Sequence, residues 1–233
     1  MTEYPKLEWD DANVPFASQF GDTYYSKAGG LGEARYVFLQ GNRLPDRLKG
    51  TGSFHIAELG FGTGLNFLVT LELLLSLPEA ERAKLTYVSF ELYPMEVAEI
   101  EKALSQWPEL KSLTDKLLAV WNPQPGWNPI TIDGVRLLLG VGDAREMLPT
   151  LSIPIDAWFL DGFNPARNPE LWERELMLAI GEKTTVGGTF GTYTAAGWVR
   201  RNLQTAGFDV ERIKGYGTKR QMMVGQKPAA TLA

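Results

Sequence analysis

The segment Phe54–Leu59, followed by Gly60-Phe61-Gly62-Thr63-Gly64 and the apolar run Leu65–Leu77, constrains this chain more than any other. The first piece has strand length. The last has helix length and stops before Pro78, and the glycines between them let the backbone turn sharply. Strand, tight turn and helix in this order form the unit whose repetition builds a parallel α/β sheet.

The unit recurs. Leu85–Phe90 reads as a second strand ending at Glu91, with Pro94 opening a helix that reaches about Gln106. Arg136–Val141, Ala157–Leu160 and Gly188–Tyr193 read as further strands, with helical stretches near Pro169–Ile180 and Ala196–Ala206. Phe208–Ile213 and Gln221–Gly225, joined across Gly215-Tyr216-Gly217, read as two short strands that close the sheet antiparallel. The expected fold is therefore α/β and Rossmann-like, with a mostly parallel seven-stranded sheet and an antiparallel C-terminal strand.

The organisation expected around that sheet is simple. At 233 residues the chain fits one domain. Residues 1–50 carry Phe16, Phe20, Tyr24, Tyr25, Tyr36 and Phe38, too many aromatics for a disordered tail, and are expected to form a cap packed over the site. Residues 51–228 form the main domain and 229–233 a tail.

Composition removes several kinds of chemistry. With no cysteine and a single histidine, His55, the chain has no disulfide, no thiolate nucleophile, no cysteine zinc site and no histidine-rich metal site. His55 stands at the start of its strand, away from the ligand-binding end, and is read as structural. No stretch approaches the roughly 18 apolar residues of a membrane span, and MTEYPKLEWDD lacks the pattern of a secretory signal, so a cytoplasmic protein is expected. The net charge of −5 is not that of a nucleic-acid binder, yet Arg200, Arg201, Arg212, Lys214, Lys219 and Arg220 make a local basic region.

In an open parallel sheet, ligands bind beyond the carboxyl ends of the strands. Four of those ends carry acids: Glu58 before the glycine turn, Glu91, Asp143 within Gly142-Asp143-Ala144, and Asp161 within Asp161-Gly162-Phe163-Asn164-Pro165. A dinucleotide fingerprint would need glycine at position 65, where Leu65 stands, and no Lys-Ser/Thr pair follows to make a phosphate loop. Glu91 is placed to accept hydrogen bonds from both ribose hydroxyls and Asp143 to meet an adenine amino group. Several acids around one cleft repel a pyrophosphate but suit S-adenosylmethionine, which carries a sulfonium and an ammonium. The cofactor candidates are Glu58, Gly60, Phe61, Gly62, Thr63, Gly64, Asn66, Glu91, Asp143 and Asp161.

Four segments together, FGDTYYS with GLGEARYVFLQGN, ELGFGTGLNFL, DAWFLDGFNPARNPELW, and GTYTAAGWVRRNLQTAGF with GYGTKRQMM, resemble one family. It is the methyltransferase domain of tRNA 5-methylaminomethyl-2-thiouridine biosynthesis proteins, the MnmC type. The likeness runs in unbroken order from about Trp9 to Gly225. It departs mildly at Gln221, where the family often has Glu, and at Asn164 and Arg167, where Ala and Lys are common.

The resemblance implies a class I methyltransferase fold and methyl transfer from S-adenosylmethionine to the aminomethyl group of a wobble uridine in tRNA. No metal is expected from the composition, and the resemblance implies a separate source of the aminomethyl uridine, because the flavin-dependent oxidase domain that follows in many members is not in this sequence. Asp161 is the expected catalytic group, accepting a hydrogen bond from the amine and taking its proton. Asp22, Tyr24, Tyr25 and Phe163 are substrate candidates, the aromatics as stacking partners for a base. Arg200, Arg201, Lys219 and Arg220 are candidates for phosphate contacts. The alternatives are a polyamine or other small-amine alkyltransferase, and a non-catalytic adenosyl-ligand or RNA-binding module.

Overall fold

The computed structural model describes residues 3–26, 29–50 and 52–229. In chain order the elements are β1 (Leu7–Trp9), β2 (Pro15–Ala17), β3 (Asp22–Thr23), α1 (Gly30–Ala34), a π-helical turn (Arg35–Gln40) and α2 (Leu44–Arg47). Then come β4 (Ser53–Leu59), α3 (Leu65–Ser76), β5 (Lys84–Glu91), α4 (Val97–Leu104), α5 (Lys111–Val120), β6 (Gly126–Ile132) and β7 (Val135–Val141). The chain continues with α6 (Ala144–Met147), β8 (Ile155–Leu160), α7 (Arg174–Lys183), β9 (Thr184–Thr192), α8 (Gly197–Thr205), β10 (Asp209–Ile213) and β11 (Met222–Gln226).

The main sheet has the order β10-β11-β9-β8-β4-β5-β7-β6, and a small sheet β1-β2-β3 stands apart. Strands β9, β8, β4, β5 and β7 are parallel, and β11 lies antiparallel between β9 and β10. The antiparallel C-terminal closure is as expected. The sheet has eight strands rather than seven, because β6 forms a hairpin with β7, Ile132 opposite Val135. Asp133 and Gly134 take left-handed φ of 49° and 80° in its two-residue turn, the conformation such tight hairpins favour. Pro129 is tolerated in β6 because that strand is an edge.

Period-two alternation places core on both faces of the sheet. Along β8, Ala157 and Phe159 join a cluster with Ile56, Tyr87 and α3, while Trp158 and Leu160 join one with Val88, Phe190, α7 and α8. Helix α3 is apolar on nearly every side, so it must be covered on both flanks. Leu65, Phe67, Leu68, Val69, Leu71 and Leu74 are all buried. The cover comes from α1 and the π-helical turn, which bring Leu31, Ala34, Val37 and Leu39 into the same cluster, with Phe38 stacked on Phe159 at 5.1 Å.

A buried polar clamp fastens that cover to the sheet. Asn42, fully buried, donates from Nδ2 to the carbonyls of Phe38 and Trp158 at 3.0 and 3.1 Å and accepts from Thr189 Oγ1 at 2.6 Å. Arg47 reaches the Asp156 carbonyl at 2.9 Å beside it.

Some expected boundaries moved. Strand β9 begins at Thr184 rather than Gly188, and α5 was not anticipated. The expected helix Pro169–Ile180 is a 3₁₀ turn, Pro169–Trp172, and then α7, because Glu173 between them is extended. Most of the expected tail, residues 230–233, lies outside the described residues. No helix among the described residues is long and apolar enough to cross a membrane.

Candidate active site

The ends of β4, β5, β7 and β8 open on one cleft of about 1140 Å³. The size suits a nucleoside-sized ligand with a second group beside it. Its floor is the turn after β4. Gly60, Gly62 and Gly64 have φ of 78°, 54° and 80°, a region that glycine enters without a Cβ clash. At Gly62 a Cβ would stand 3.1 Å from the Tyr24 ring. Phe61, Thr63 and Asn66 also line the cleft, while Gly64 stands behind it as the residue before α3.

Glu91 holds this turn in place. Its Oε2 accepts from Gly62 N and its Oε1 from Tyr93 N, both at 2.8 Å. Burial pushes its carboxyl up, and the backbone donors oppose that shift. Asp143 caps α6 through Arg145 N at 2.8 Å, and the Arg145 side chain grips both its oxygens. That guanidinium holds the Asp143 carboxyl below the usual range.

Asp161 stands at the end of β8. Its Oδ2 accepts from Asn66 Nδ2 at 2.8 Å and its Oδ1 from Gly162 N at 2.9 Å. Desolvation is the largest influence on it and raises its pKa to about 6, against these two hydrogen bonds. A carboxylate so placed is a base at neutral pH that still accepts a proton readily.

Glu58 departs from its expected place. It does not line the cleft but lies behind it, fully buried, with Ser89 Oγ donating to Oε2 at 2.7 Å and Oε1 without a hydrogen-bond partner. Burial pushes its carboxyl well up, against the Ser89 hydrogen bond. Strand alternation, not the strand end, decides this: Glu58 pairs across to Ser89 and Phe159 on the α3 face.

The N-terminal aromatics divide into two roles. Tyr24 and Phe163 stand edge to face at 5.1 Å in the cleft, with Phe20 stacked on Phe163 at 4.6 Å. Tyr25 instead serves the core: it is buried, its ring meets Trp107 at 4.9 Å and its hydroxyl donates to the Ala103 carbonyl at 2.9 Å. It still borders the cleft beside Tyr24. Asp22 lines the cleft but spends Oδ2 on Asn164 N at 2.8 Å, stapling β3 to the loop after β8.

The basic candidates also separate. Arg220 is exposed at the cleft, whereas Arg200 and Arg201 lie on α8 outside it, half-buried and exposed respectively. Lys219 is not a free surface cation. It turns into the cleft, 2.5 Å from Glu33 Oε1 and 4.8 Å from the centroid of the Tyr193 ring. Glu33, Tyr193 and Arg145 were not singled out as site residues from the sequence, and Phe20 only as one of the aromatics of the N-terminal cap. His55 Nδ1 donates to the Pro154 carbonyl at 2.9 Å, at the opposite end of the sheet. Among the described residues no group of three or more His, Asp or Glu is placed to hold a metal ion.

Comparison with known proteins agrees with this geometry. The chain is 43% identical over 245 residues to the tRNA 5-methylaminomethyl-2-thiouridine biosynthesis bifunctional protein MnmC of Aeromonas hydrophila, with 99% of this chain and 37% of that protein covered. It is 46% identical over 228 residues to the protein of the same name from Nitrosospira multiformis, covering 95% of this chain and 36% of that one. The chain thus spans little more than a third of the length of these relatives. The crystal structure of MnmC2 from Aquifex aeolicus shares the fold, with a TM-score of 0.74 over 98% of this chain and 73% of that chain at 24% identity. A family model described as S-adenosyl-L-methionine-dependent methyltransferase matches residues 108–228. The chain belongs to that family.

Proposed function

We propose that this S-adenosyl-L-methionine-dependent methyltransferase methylates the aminomethyl group of a wobble uridine in tRNA, yielding the 5-methylaminomethyl form. The observation that carries the reading is Asp161: a half-buried carboxylate at a strand end, held by Asn66 and Gly162 N, with its pKa raised to about 6. The tRNA substrate is taken from the names of the relatives.

The cofactor fits the residues present. The glycine turn offers backbone where a side chain at Gly62 would crowd Tyr24, and acids outnumber basic residues along the cleft, as suits a ligand with two cationic groups. In this reading Gly60, Phe61, Gly62, Thr63 and Asn66 form the cradle, Glu91 meets the ribose hydroxyls and Asp143 the adenine. When bound, the cofactor supplies a methyl group on a sulfonium.

The protein's part is to position and deprotonate the amine. An alkylammonium has a reference pKa of about 10 if it behaves like lysine, and has no lone pair to attack with. Asp161 accepts its hydrogen bond, orients the nitrogen and takes the proton. Tyr24 and Phe163 offer faces for the uracil, and Arg200, Arg201 and Arg220 offer charge to the RNA backbone. Residues 1–50 act as a cap on the catalytic domain, the enzyme works in the cytoplasm, and a separate activity supplies the aminomethyl uridine.

The test is transfer of labelled methyl from S-adenosylmethionine to tRNA from cells lacking this modification, followed by nuclease digestion. Labelled methylaminomethyl uridine is the expected product. Cofactor binding with no transfer to any tRNA, or turnover of free polyamines instead, overturns the substrate.

A further inference from the structure

A cation of the protein's own occupies the cleft beside Asp161. Lys219, on the loop between β10 and β11, places its ammonium 2.5 Å from Glu33 Oε1 and 4.8 Å from the Tyr193 ring centroid. Glu33 comes from α1 and Tyr193 from the segment after β9, and all three line the cleft with Asp161. The Tyr193 hydroxyl donates to the Gly162 carbonyl at 2.9 Å, which fixes the ring next to the Asp161 loop. A carboxylate oxygen with an aromatic face is the pair of groups that recognises a primary alkylammonium.

The two halves of the ion pair differ in freedom. The Glu33 side chain is 12% exposed and that of Lys219 40%, so the carboxylate belongs to the wall and the lysine lies across it. The wall has other fastenings: Tyr36 donates to the Lys214 carbonyl at 3.0 Å, and Tyr216 packs so closely on α1 that a Cβ at Gly32 would stand 2.1 Å from its hydroxyl. The loop is therefore held against α1 without the ion pair.

We propose that the Glu33 carboxylate and the Tyr193 ring form the seat for the substrate's primary ammonium, and that Lys219 fills this seat until substrate displaces it. The inference rests on the reading of the cleft as an amine methyltransferase site. A lysine ends in a methylene bearing a primary ammonium, and so does an aminomethyl uridine. Once the proton taken by Asp161 has passed on to solvent, the neutral primary amine has two N–H groups and one lone pair and Asp161 is again a carboxylate. Glu33 and Asp161 each accept one N–H, which leaves the lone pair as the free direction on nitrogen. The methylated product, when neutral, has a single N–H and satisfies one acceptor, so the seat favours substrate over product.

The test is steady-state kinetics with tRNA carrying the aminomethyl wobble uridine, together with calorimetry of cofactor binding and thermal melts of each variant. Glu33→Gln should raise KM for tRNA about tenfold or more, as expected for a desolvated charge contact, with cofactor affinity unchanged. Lys219→Met should lower KM about threefold, since it removes an internal competitor for the seat. The double variant should behave like Glu33→Gln alone.

If Lys219→Met raises KM as Glu33→Gln does, the lysine contacts RNA or braces the wall and the seat is overturned. If Glu33→Gln does not fold, Lys219→Met together with Tyr193→Leu decides, the latter expected to raise KM and a null effect on both overturning the seat. A wild-type chain that binds cofactor yet methylates no aminomethyl tRNA overturns the proposed function, and the seat with it.

Discussion

Asn66 Nδ2 donates to Asp161 Oδ2 at 2.8 Å, so the first turn of α3 and the end of β8 are tied at the point where the chemistry is proposed to occur. The same helix opens directly from the glycine turn. The proposed cofactor cradle and the proposed base are therefore tied to each other through one helix.

Asp161→Asn keeps the size of the side chain and removes the base. We expect kcat to fall by about 10² to 10⁴ with cofactor affinity retained. In the wild type, kcat/KM should decline as pH falls through about 6, where Asp161 takes its proton. Because the pKa is raised, the active carboxylate predominates above that pH and gives way to the neutral acid below it. A pH–rate profile of the variant should lack this limb. An unchanged profile assigns the limb to another group.

Glu91→Ala leaves Gly62 N and Tyr93 N without their acceptor. Each unsatisfied donor costs about 1–3 kcal/mol, and the proposed ribose acceptors go with the carboxylate. Calorimetry should show S-adenosylmethionine binding weakened at least about tenfold, the equivalent of roughly 1.4 kcal/mol. A melting point that drops while affinity stays constant would reduce Glu91 to a structural strut.

Asn42→Ala removes a side chain that serves two carbonyls and the Thr189 hydroxyl in the fully buried clamp. The expected loss is about 2–4 kcal/mol of stability, from the unsatisfied groups left behind. Chemical denaturation measures it, and a change within 0.5 kcal/mol, roughly the level of a neutral surface substitution, would show the clamp to be dispensable.

Arg201→Ala with Arg220→Ala should weaken tRNA binding and flatten its salt dependence. Removing one cation from a backbone phosphate lowers the slope of log K against log salt by about 0.7–0.9. Filter binding across salt concentrations gives the slope. If it matches wild type, the RNA lies elsewhere.

The glycine turn and three of the four strand-end acids were legible because parallel sheets put function at one edge and glycine marks close approach. Glu58 was not, since a residue one position inside the strand end faces wherever alternation sends it, here into the α3 core. The β6–β7 hairpin had its signal in the sequence: Asp133-Gly134 between alternating residues is a tight-turn mark, and Pro129 obscured the strand before it. Glu33 and Lys219 were illegible as a pair. Nothing local relates residues whose contact is set by how α1 lies across α3.

That contact joins positions 186 residues apart, and the Tyr36–Lys214 bond beside it spans 178. By contrast, the glycine turn and its strand and helix assemble from neighbouring sequence. Loop-closure entropy delays long-range contacts during folding, so the two sides of the cleft are completed at different times. The side proposed to hold the cofactor draws on residues 60–143, whereas the side proposed to receive the amine brings Glu33 together with Tyr193 and Lys219. The proposed donor site is thus a more local construction than the proposed amine seat, whose two walls meet only across that long separation.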